Sequence, residues 1–370
     1  NFRPDGQQSM LRFEHMLVTG LEARGHRVST ISPTPKCSRL TRSYRYSGWR
    51  KYLGYIDKFI LFPFVLRSRV KTIRPDVIHI VDHANSVYAR RLCNVPVLVT
   101  CHDLLAIQLA RGQLVGPRLG TSGRLYQQWI LRHLRRVPLI VCVSTQTQHD
   151  LIQLTGRSSD LTPVILNGLN YPFQRQPSEQ AHATLEALWQ RRNLAPSLRN
   201  GFLLNIGGTQ WYKNRQGLLN IYAALRQRLP ASPPLLLAGK SLSPELLTHL
   251  ETLGLHSSVF QLGTVSTAEL EALYSLAEGL IFPSWAEGFG WPIAEAHACG
   301  CPVFTSDRAP LTEVGGTAAI YFDPTDPEDA AHRIATAWPQ RNKLRVDGLT
   351  RASQWSAKRM LAQYENIYRH

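Results

Sequence analysis

Short apolar runs of strand composition alternate with amphipathic stretches of helical period along almost the whole of this 370-residue chain. In the first half, Val28-Ser-Thr-Ile31, Val77-Ile-His-Ile-Val81, Val95-Pro-Val-Leu-Val-Thr100 and Leu139-Ile-Val-Cys-Val143 are strand candidates, separated by helical stretches such as Met10 to Ala23 and Gly123 to Arg136. Tyr171-Pro-Phe-Gln-Arg-Gln-Pro-Ser-Glu-Gln180 then reads as a linker. Alternation resumes with Phe202 to Ile206, a helical Gln216 to Leu229, Leu235 to Ala238, Val259 to Leu262, Leu280 to Phe282 and Val303 to Thr305. A chain patterned in this way builds parallel sheets covered by helices. Its length fits two domains, and 44% hydrophobic residues supply a core for each. Ligands of doubly wound sheets sit at the carboxyl ends of the strands, so two facing halves imply a cleft between them. The chain opens at Asn1-Phe-Arg-Pro-Asp-Gly6, which reads as the loop after a first strand. A central strand cannot be omitted without leaving its neighbours unpaired, so about ten further residues are expected upstream.

The most specific chemistry lies in Glu287-Gly-Phe-Gly-Trp-Pro-Ile-Ala-Glu295, two carboxylates seven residues apart across a glycine turn. The strand-like Gly279 to Ser284 runs into that turn, Pro292 reads as the first residue of a helix, and Gly300 followed by Pro302 stops it. Glu287 then lies in the loop and Glu295 about one turn into the helix. Gly288, Phe289 and Gly290 bring backbone N–H groups close to a ligand, and the helix N-terminus favours anions and hydroxyl oxygens. A carboxylate accepts hydrogen bonds only and suits a vicinal diol. Spacing alone is equally compatible with a tight turn whose two glutamates are merely solvated. Upstream, Gly207 and Gly208 follow a strand and precede Lys213, Arg215 and a helix, a reasonable pyrophosphate cradle that is not a P-loop. His102 follows another strand, where an unassisted histidine is more often structural than catalytic.

Residues 283–296, Pro-Ser-Trp-Ala-Glu-Gly-Phe-Gly-Trp-Pro-Ile-Ala-Glu-Ala, resemble the donor-site motif of the retaining glycosyltransferases of family 4. Arg24-Gly-His-Arg-Val28, Pro75 to His79, Thr100 to Leu104, Val143-Ser144, Ile165 to Gly168, Asn205 to Gly208 with Lys213-Asn214, and Leu262 to Ser266 agree with the same family in order, so the likeness covers nearly the whole chain. It implies an α/β chain of GT-B architecture, two Rossmann-like doubly wound domains facing a central cleft. The boundaries expected are an acceptor-binding domain over residues 1–170, a nucleotide-sugar-binding domain over 171–354, and a helix over 355–370 crossing back to the first domain. The implied reaction moves a sugar from a nucleoside diphosphate to an acceptor hydroxyl with retention, in envelope polysaccharide or lipid-linked glycan synthesis.

In this reading Lys213, helped by Arg215, meets the diphosphate with Gly207 and Gly208. Glu287 and the Phe289-Gly290 amides hold the sugar, Glu295 takes the ribose diol, Val265 lines the donor pocket, and His102 lies near the transferred sugar. Gly6 matches the family's glycine-bearing loop, although Gln7 follows where a second glycine is common. Gly208 stands where the family usually has an arginine. No D-x-D triplet and no zinc-site spacing occurs, so neither a metal nor a cofactor beyond the nucleotide sugar is expected. A nucleotide-sugar hydrolase, phosphorylase or epimerase on the same fold, or a non-catalytic binding protein, would carry much of the same pattern.

Charge is lopsided. Residues 1–170 hold 24 Lys and Arg against 9 Asp and Glu, whereas the remaining 200 residues hold 18 and 17. Between residues 38 and 74 the basic residues interleave with aromatic ones, among them Tyr44, Trp49, Tyr52, Tyr55, Phe59, Phe62 and Phe64. Such a surface suits an anionic membrane or a lipid-linked anionic acceptor, while a solvated arginine-rich face over an aromatic core explains the same pattern. No nucleic-acid-binding signature accompanies it, so nucleic acid is not expected as a partner. With six unpaired-looking cysteines and no apolar run near the length of a membrane span, the expected location is cytoplasmic, with peripheral attachment to the membrane's inner face.

Overall fold

The structure, a computed structural model, describes residues 2, 5, 8–40, 50–92, 94–194 and 196–369. The chain divides into two units, one formed by residues 1–170 with 357–370 and the other by 171–356.

In the first unit the elements run α1 (Gln8–Glu22), α2 (Arg50–Tyr55), a π-helical turn (Ile56–Leu61), α3 (Phe62–Ile73), β1 (Ile78–Ile80), β2 (Val97–Cys101), α4 (Leu105–Ala110), α5 (Thr121–Leu134), β3 (Leu139–Cys142) and α6 (Thr145–Thr155). The three strands form a parallel sheet in the order β1-β2-β3, with Ile78 beside Val97 and Leu98 beside Leu139. Strand β2 is buried at every position, as a central strand covered on both faces requires. Val97, Val99, Ile140 and Cys142 from the sheet meet Ile130, Leu131 and Leu134 from α5 in one core. Chain punctuation does the rest. Ser144 caps α6 through the Thr147 N–H, and Gly156, at φ 71°, ends it.

Val28 to Ile31 corrects the expectation of a strand: it belongs to no sheet. An extended segment becomes a strand only when a neighbour completes its ladder, and β1 is hydrogen-bonded to β2 alone among the described strands.

The second unit contains α7 (Ser178–Arg192), β4 (Leu203–Gly207), α8 (Arg215–Arg228), β5 (Leu235–Gly239), α9 (Pro244–Thr252), β6 (Val259–Gly263), α10 (Thr267–Leu276), β7 (Gly279–Phe282), α11 (Trp291–Ala298), β8 (Val303–Ser306), α12 (Leu311–Gly315), β9 (Ala319–Phe322), α13 (Pro327–Ala337) and α14 (Arg341–Ala352). Its six strands are all parallel and lie in the order β6-β5-β4-β7-β8-β9. Helices α8 and α13 cover one face, closing Leu218, Leu219, Tyr222, Ala330 and Ile334 over Leu203, Leu235, Ile281 and Phe304. Strand β9 was not among the sequence candidates. The acidic run Asp323 to Asp329 makes a turn at residues 324–325 and then starts α13: Asp326 accepts hydrogen bonds from the N–H groups of Glu328 and Asp329, with Pro327 at the helix start.

The closing helix α15 (Ala357–Arg369) packs within the first unit. Met360, Leu361 and Tyr364 form its buried face. Thr100 Oγ1, on β2, lies 2.9 Å from Tyr364 Oη and 2.7 Å from His79 Nε2, while His79 Nδ1 lies 2.8 Å from Tyr368 Oη. This chain of polar contacts fixes the register of α15 on β1 and β2. Gly20 allows α1 to approach it, since a Cβ there would fall 2.3 Å from Leu361 Cδ1.

Candidate active site

In the second sheet the strand order runs outward from β4 through β5 to β6 and, on the other side, from β7 through β8 to β9. The neighbouring carboxyl ends of β4 and β7 are therefore the point where the winding reverses and where a doubly wound sheet leaves a crevice. Both sequence-predicted loops start there.

Strand β4 ends at Gly207, whose φ of 150° is unusual for a side-chain-bearing residue. Gly239, at the end of β5, has φ 118°, and a Cβ on it would lie 2.1 Å from the Gly207 carbonyl oxygen. The two strand ends thus approach each other closely because residue 239 is glycine. Beyond them the chain makes one 3₁₀ turn, Trp211–Lys213, and then passes through Asn214 in the left-handed region at φ 52°. Asn214 earns that conformation: its Oδ1 accepts from the Gly217 N–H and caps α8, and its Nδ2 donates to the carbonyls of Pro283 and Pro324. The same residue thereby ties the start of α8 to the loop after β7. Trp285 N–H adds a bond of 2.8 Å to the Tyr212 carbonyl.

These ties bring Lys213 to Glu287, with Nζ 2.6 Å from Oε1. Lys213 is 15% and Glu287 10% exposed, and the ammonium also sits 5.2 Å from the Phe282 ring centre and 5.6 Å from that of Tyr212. A close ion pair this little exposed pays a large desolvation cost and needs a compensating role. Each partner keeps a small exposed fraction next to the carboxyl ends of β4 and β7.

The loop continues through Gly288 and Phe289 to Gly290, whose φ of 99° reverses the chain into α11. Here Trp291, not Pro292, is the first helical residue, and Pro292 occupies the second position, where its lack of an N–H is equally harmless. Phe289 is buried and packs edge-on against Trp355 at 5.5 Å. Glu295 is buried as well, and Tyr274 Oη, from α10, donates to its Oε2 at 3.0 Å. Burial and the adjoining carboxylate hold the Tyr274 phenol far above its ordinary pKa, so it stays a donor. Neither glutamate is a freely solvated turn residue.

Arg215, expected to help Lys213 with the diphosphate, holds the glycine turn itself. Its Nη2 donates to the Gly207 carbonyl at 2.8 Å and its Nε reaches the Gly208 carbonyl at 3.5 Å, while the side chain is buried. Burial pushes its pKa down to about 10, which still leaves it charged. It braces the glycine turn from within. Val265 follows β6 and is half-buried, two strands from β4.

His102 belongs to the first unit, directly after β2. Its imidazole is buried edge-on to Phe13 at 4.7 Å, and Nε2 lies 2.9 Å from the Val81 carbonyl, an arrangement that makes Nε2 the protonated nitrogen. Burial pushes its pKa down, so the ring is neutral. Asp103 accepts from the Leu105 N–H at 3.1 Å, at the start of α4. Gly6 lies outside the described residues.

Comparison with known proteins follows the same division. The family model described as Glycosyltransferase Family 4 matches residues 12–171, and the model described as Glycosyl transferases group 1 matches residues 190–348. The chain belongs to glycosyltransferase family 4. It is similar to the O-antigen chain mannosyltransferase B of Escherichia coli, 30% identical over 66% of this chain and 64% of that protein. The serotype-specific mannosyltransferase WbdA of the same organism is 26% identical over 80% of this chain and 39% of its own length. This chain therefore spans less than two thirds of either relative. Among solved structures, HepE of Anabaena in complex with UDP-glucose superposes with a TM-score of 0.66 at 21% identity, covering 83% of this chain and 82% of its own. That likeness establishes the GT-B fold of this family 4 chain.

Sequence reasoning missed two residues of the site. Asn214 had a readable signal, an asparagine directly before a helical stretch. Tyr274 had none, because its role exists only once α10 packs against α11.

Proposed function

We propose that this family 4 chain is a retaining, metal-independent hexosyltransferase that moves a sugar from a nucleoside diphosphate to a hydroxyl of an envelope glycan or lipid-linked acceptor. The observation that carries the reading is the pairing of Lys213 with Glu287 at the crevice where β4 and β7 diverge. Departure of the diphosphate builds negative charge, and a preorganised cation with backbone N–H donors stabilises such charge before it forms. Lys213 and the amides of Gly207 and Gly208 fill that role. Arg215 serves them indirectly by fixing the turn.

When the donor binds, the phosphate oxygens compete with Glu287 for the lysine, and Glu287 turns to the sugar hydroxyls beside Phe289 and Gly290. Glu295, held by its hydrogen bond from Tyr274, accepts from the ribose diol. Neither carboxylate acts as nucleophile. The leaving phosphate takes the acceptor proton on the face it vacates, which yields retention. His102 is assigned to the transferred sugar by resemblance alone. The named mannosyltransferase relatives favour a mannosyl donor, and the expected place of action is the cytoplasmic face of the membrane.

The test is a transfer assay with UDP- and GDP-hexoses in excess EDTA, followed by NMR of the new anomeric centre. An α-linked product from an α-linked donor is expected, formed only when acceptor is present. A β-linked product, abolition by EDTA, or equal donor consumption without acceptor would each contradict the proposal.

A further inference from the structure

Among the described residues of the first unit, six of the eight exposed large apolar side chains lie on two adjoining helical segments, Val115 and Leu161 being the other two. Tyr52, Ile60, Phe64 and Val65 lie on α2, the π-helical turn and α3, with Phe64 67% exposed and Ile60 56%. Leu125 and Trp129 lie one turn apart on α5. The segments touch through aromatic rings: Phe59 meets Trp129 edge-on at 4.9 Å, and Tyr55 stacks on Tyr126 at 5.6 Å. Ile60 and Phe64 therefore continue outward from the very contact that anchors Trp129. Isolated exposed apolar residues are ordinary, but several adjoining ones mark a contact surface.

Charge decides what that surface meets. Residues 58–75 contain no Asp or Glu, and neither do residues 104–149. Arg67 and Lys71 follow Ile60 and Phe64 along one face of α3, Arg69 stands one turn after Val65, and all three basic residues are exposed. On α5, Arg124 and Arg132 flank the Leu125 and Trp129 stripe and are exposed too. Asp57, just before residues 58–75, is buried and accepts from the N–H groups of Lys36, Cys37 and Ser38. It presents no negative charge to the surface. Lys58, in contrast, is consumed internally by Asp5 at 2.8 Å.

We infer that the α3 and α5 faces of the first unit form a docking surface for an anionic phospholipid bilayer, with Ile60, Phe64, Val65, Leu125 and Trp129 entering the headgroup region and Arg67, Arg69, Lys71, Arg124 and Arg132 pairing with lipid phosphates. Apolar side chains beside carboxylate-free rows of arginine and lysine are the composition by which interfacial helices bind such membranes. Arginine and lysine stems bury their methylenes along the apolar stripe while the charges remain with the phosphates. Among the described residues no helix is long and apolar enough to cross a membrane. The sequence pattern over residues 38–74 anticipated only part of this surface: α5 enters it through tertiary contact, and residues 41–49 lie outside the described residues.

The test is flotation of the full chain with vesicles of phosphatidylcholine alone, or with a third of the lipid as phosphatidylglycerol. Flotation with the anionic vesicles only is expected. The double variant Arg67→Glu, Arg69→Glu should lower the partition coefficient at least about thirtyfold, from roughly 1 kcal/mol per basic residue near the surface. Phe64→Ser with Leu125→Ser should reduce it about tenfold or more, at nearly unchanged melting temperature, since these side chains are 67% and 60% exposed. Absence of flotation would overturn the inference. Binding that survives the serine variant, or that is matched by heparin or RNA at equal salt sensitivity, would identify a polyanion-binding face and overturn it as well.

Discussion

Replacing Lys213 with alanine is expected to lower the turnover number about 10²–10³-fold, the usual cost of removing one preorganised stabiliser of developing negative charge. The variant also strands Glu287, which is 10% exposed and loses the ammonium 2.6 Å away. Donor affinity should therefore fall together with turnover. Glu287→Gln keeps the shape of the side chain but not its charge, and removes the competitor for the lysine. Because the two side chains are in contact, their effects should not add: the double variant Lys213→Ala, Glu287→Gln is expected to lose less than the two single losses combined. Steady-state kinetics at saturating donor, on variants shown to melt like the wild type, measures this directly. Strict additivity would mean that the ion pair is structural and uncoupled from the chemistry.

The largest stability effect is expected at Gly239. Two independent penalties coincide there, a φ of 118° and a Cβ that would sit 2.1 Å from the Gly207 carbonyl oxygen and 3.0 Å from its carbon. Positive φ alone costs an alanine of order 1–3 kcal/mol. The overlap involves backbone on both sides, so no side chain can rotate away to relieve it. Gly239→Ala should destabilise by about 2–4 kcal/mol and lower the Tm by roughly 5–10 °C. It should also weaken donor binding, since relief requires the Gly207 turn to move. Gly254→Ala is the matched control, with φ 66° and nothing within 4 Å of the added Cβ, and should lose only about 1 kcal/mol. Thermal melts of the two variants separate conformational strain from collision. Equal melting temperatures would mean that the approach of β5 to β4 is looser than described.

Most of the fold could be read from the chain because its strands are nearly continuous apolar runs between clear stops. Eight of the nine described strands overlap segments recognisable by composition alone. Strand β9 escaped because Ala319-Ile-Tyr-Phe322 is short, half-buried at its centre, and placed at the sheet edge, where burial leaves a weak imprint. Val28 to Ile31 erred the other way: strand composition is local, whereas a ladder needs a neighbour.

At the site, the glutamates, the glycine turns and Lys213 follow from spacing and turn chemistry. Local sequence, however, does not say which way a side chain faces. Arg215 follows Lys213 by two residues, yet it starts α8 and folds inward to hold the carbonyls of Gly207 and Gly208. The partner of Glu295 is equally invisible, because Tyr274 reaches it from another helix. Residues that touch ligand leave motifs, while those that hold the motif in place are distributed by packing.

The most direct test of the donor site is isothermal titration of UDP and GDP into the wild-type chain, Lys213→Ala and Glu295→Gln. The glutamine retains an acceptor for Tyr274, so a loss of affinity there reports the ribose contact rather than a collapsed helix. One of the two nucleotides should bind the wild type in preference to the other, with affinity reduced at least about tenfold in Lys213→Ala, as one charge-assisted contact implies, and clearly reduced in Glu295→Gln. Binding of equal strength in all three proteins would place the nucleotide elsewhere and contradict the account.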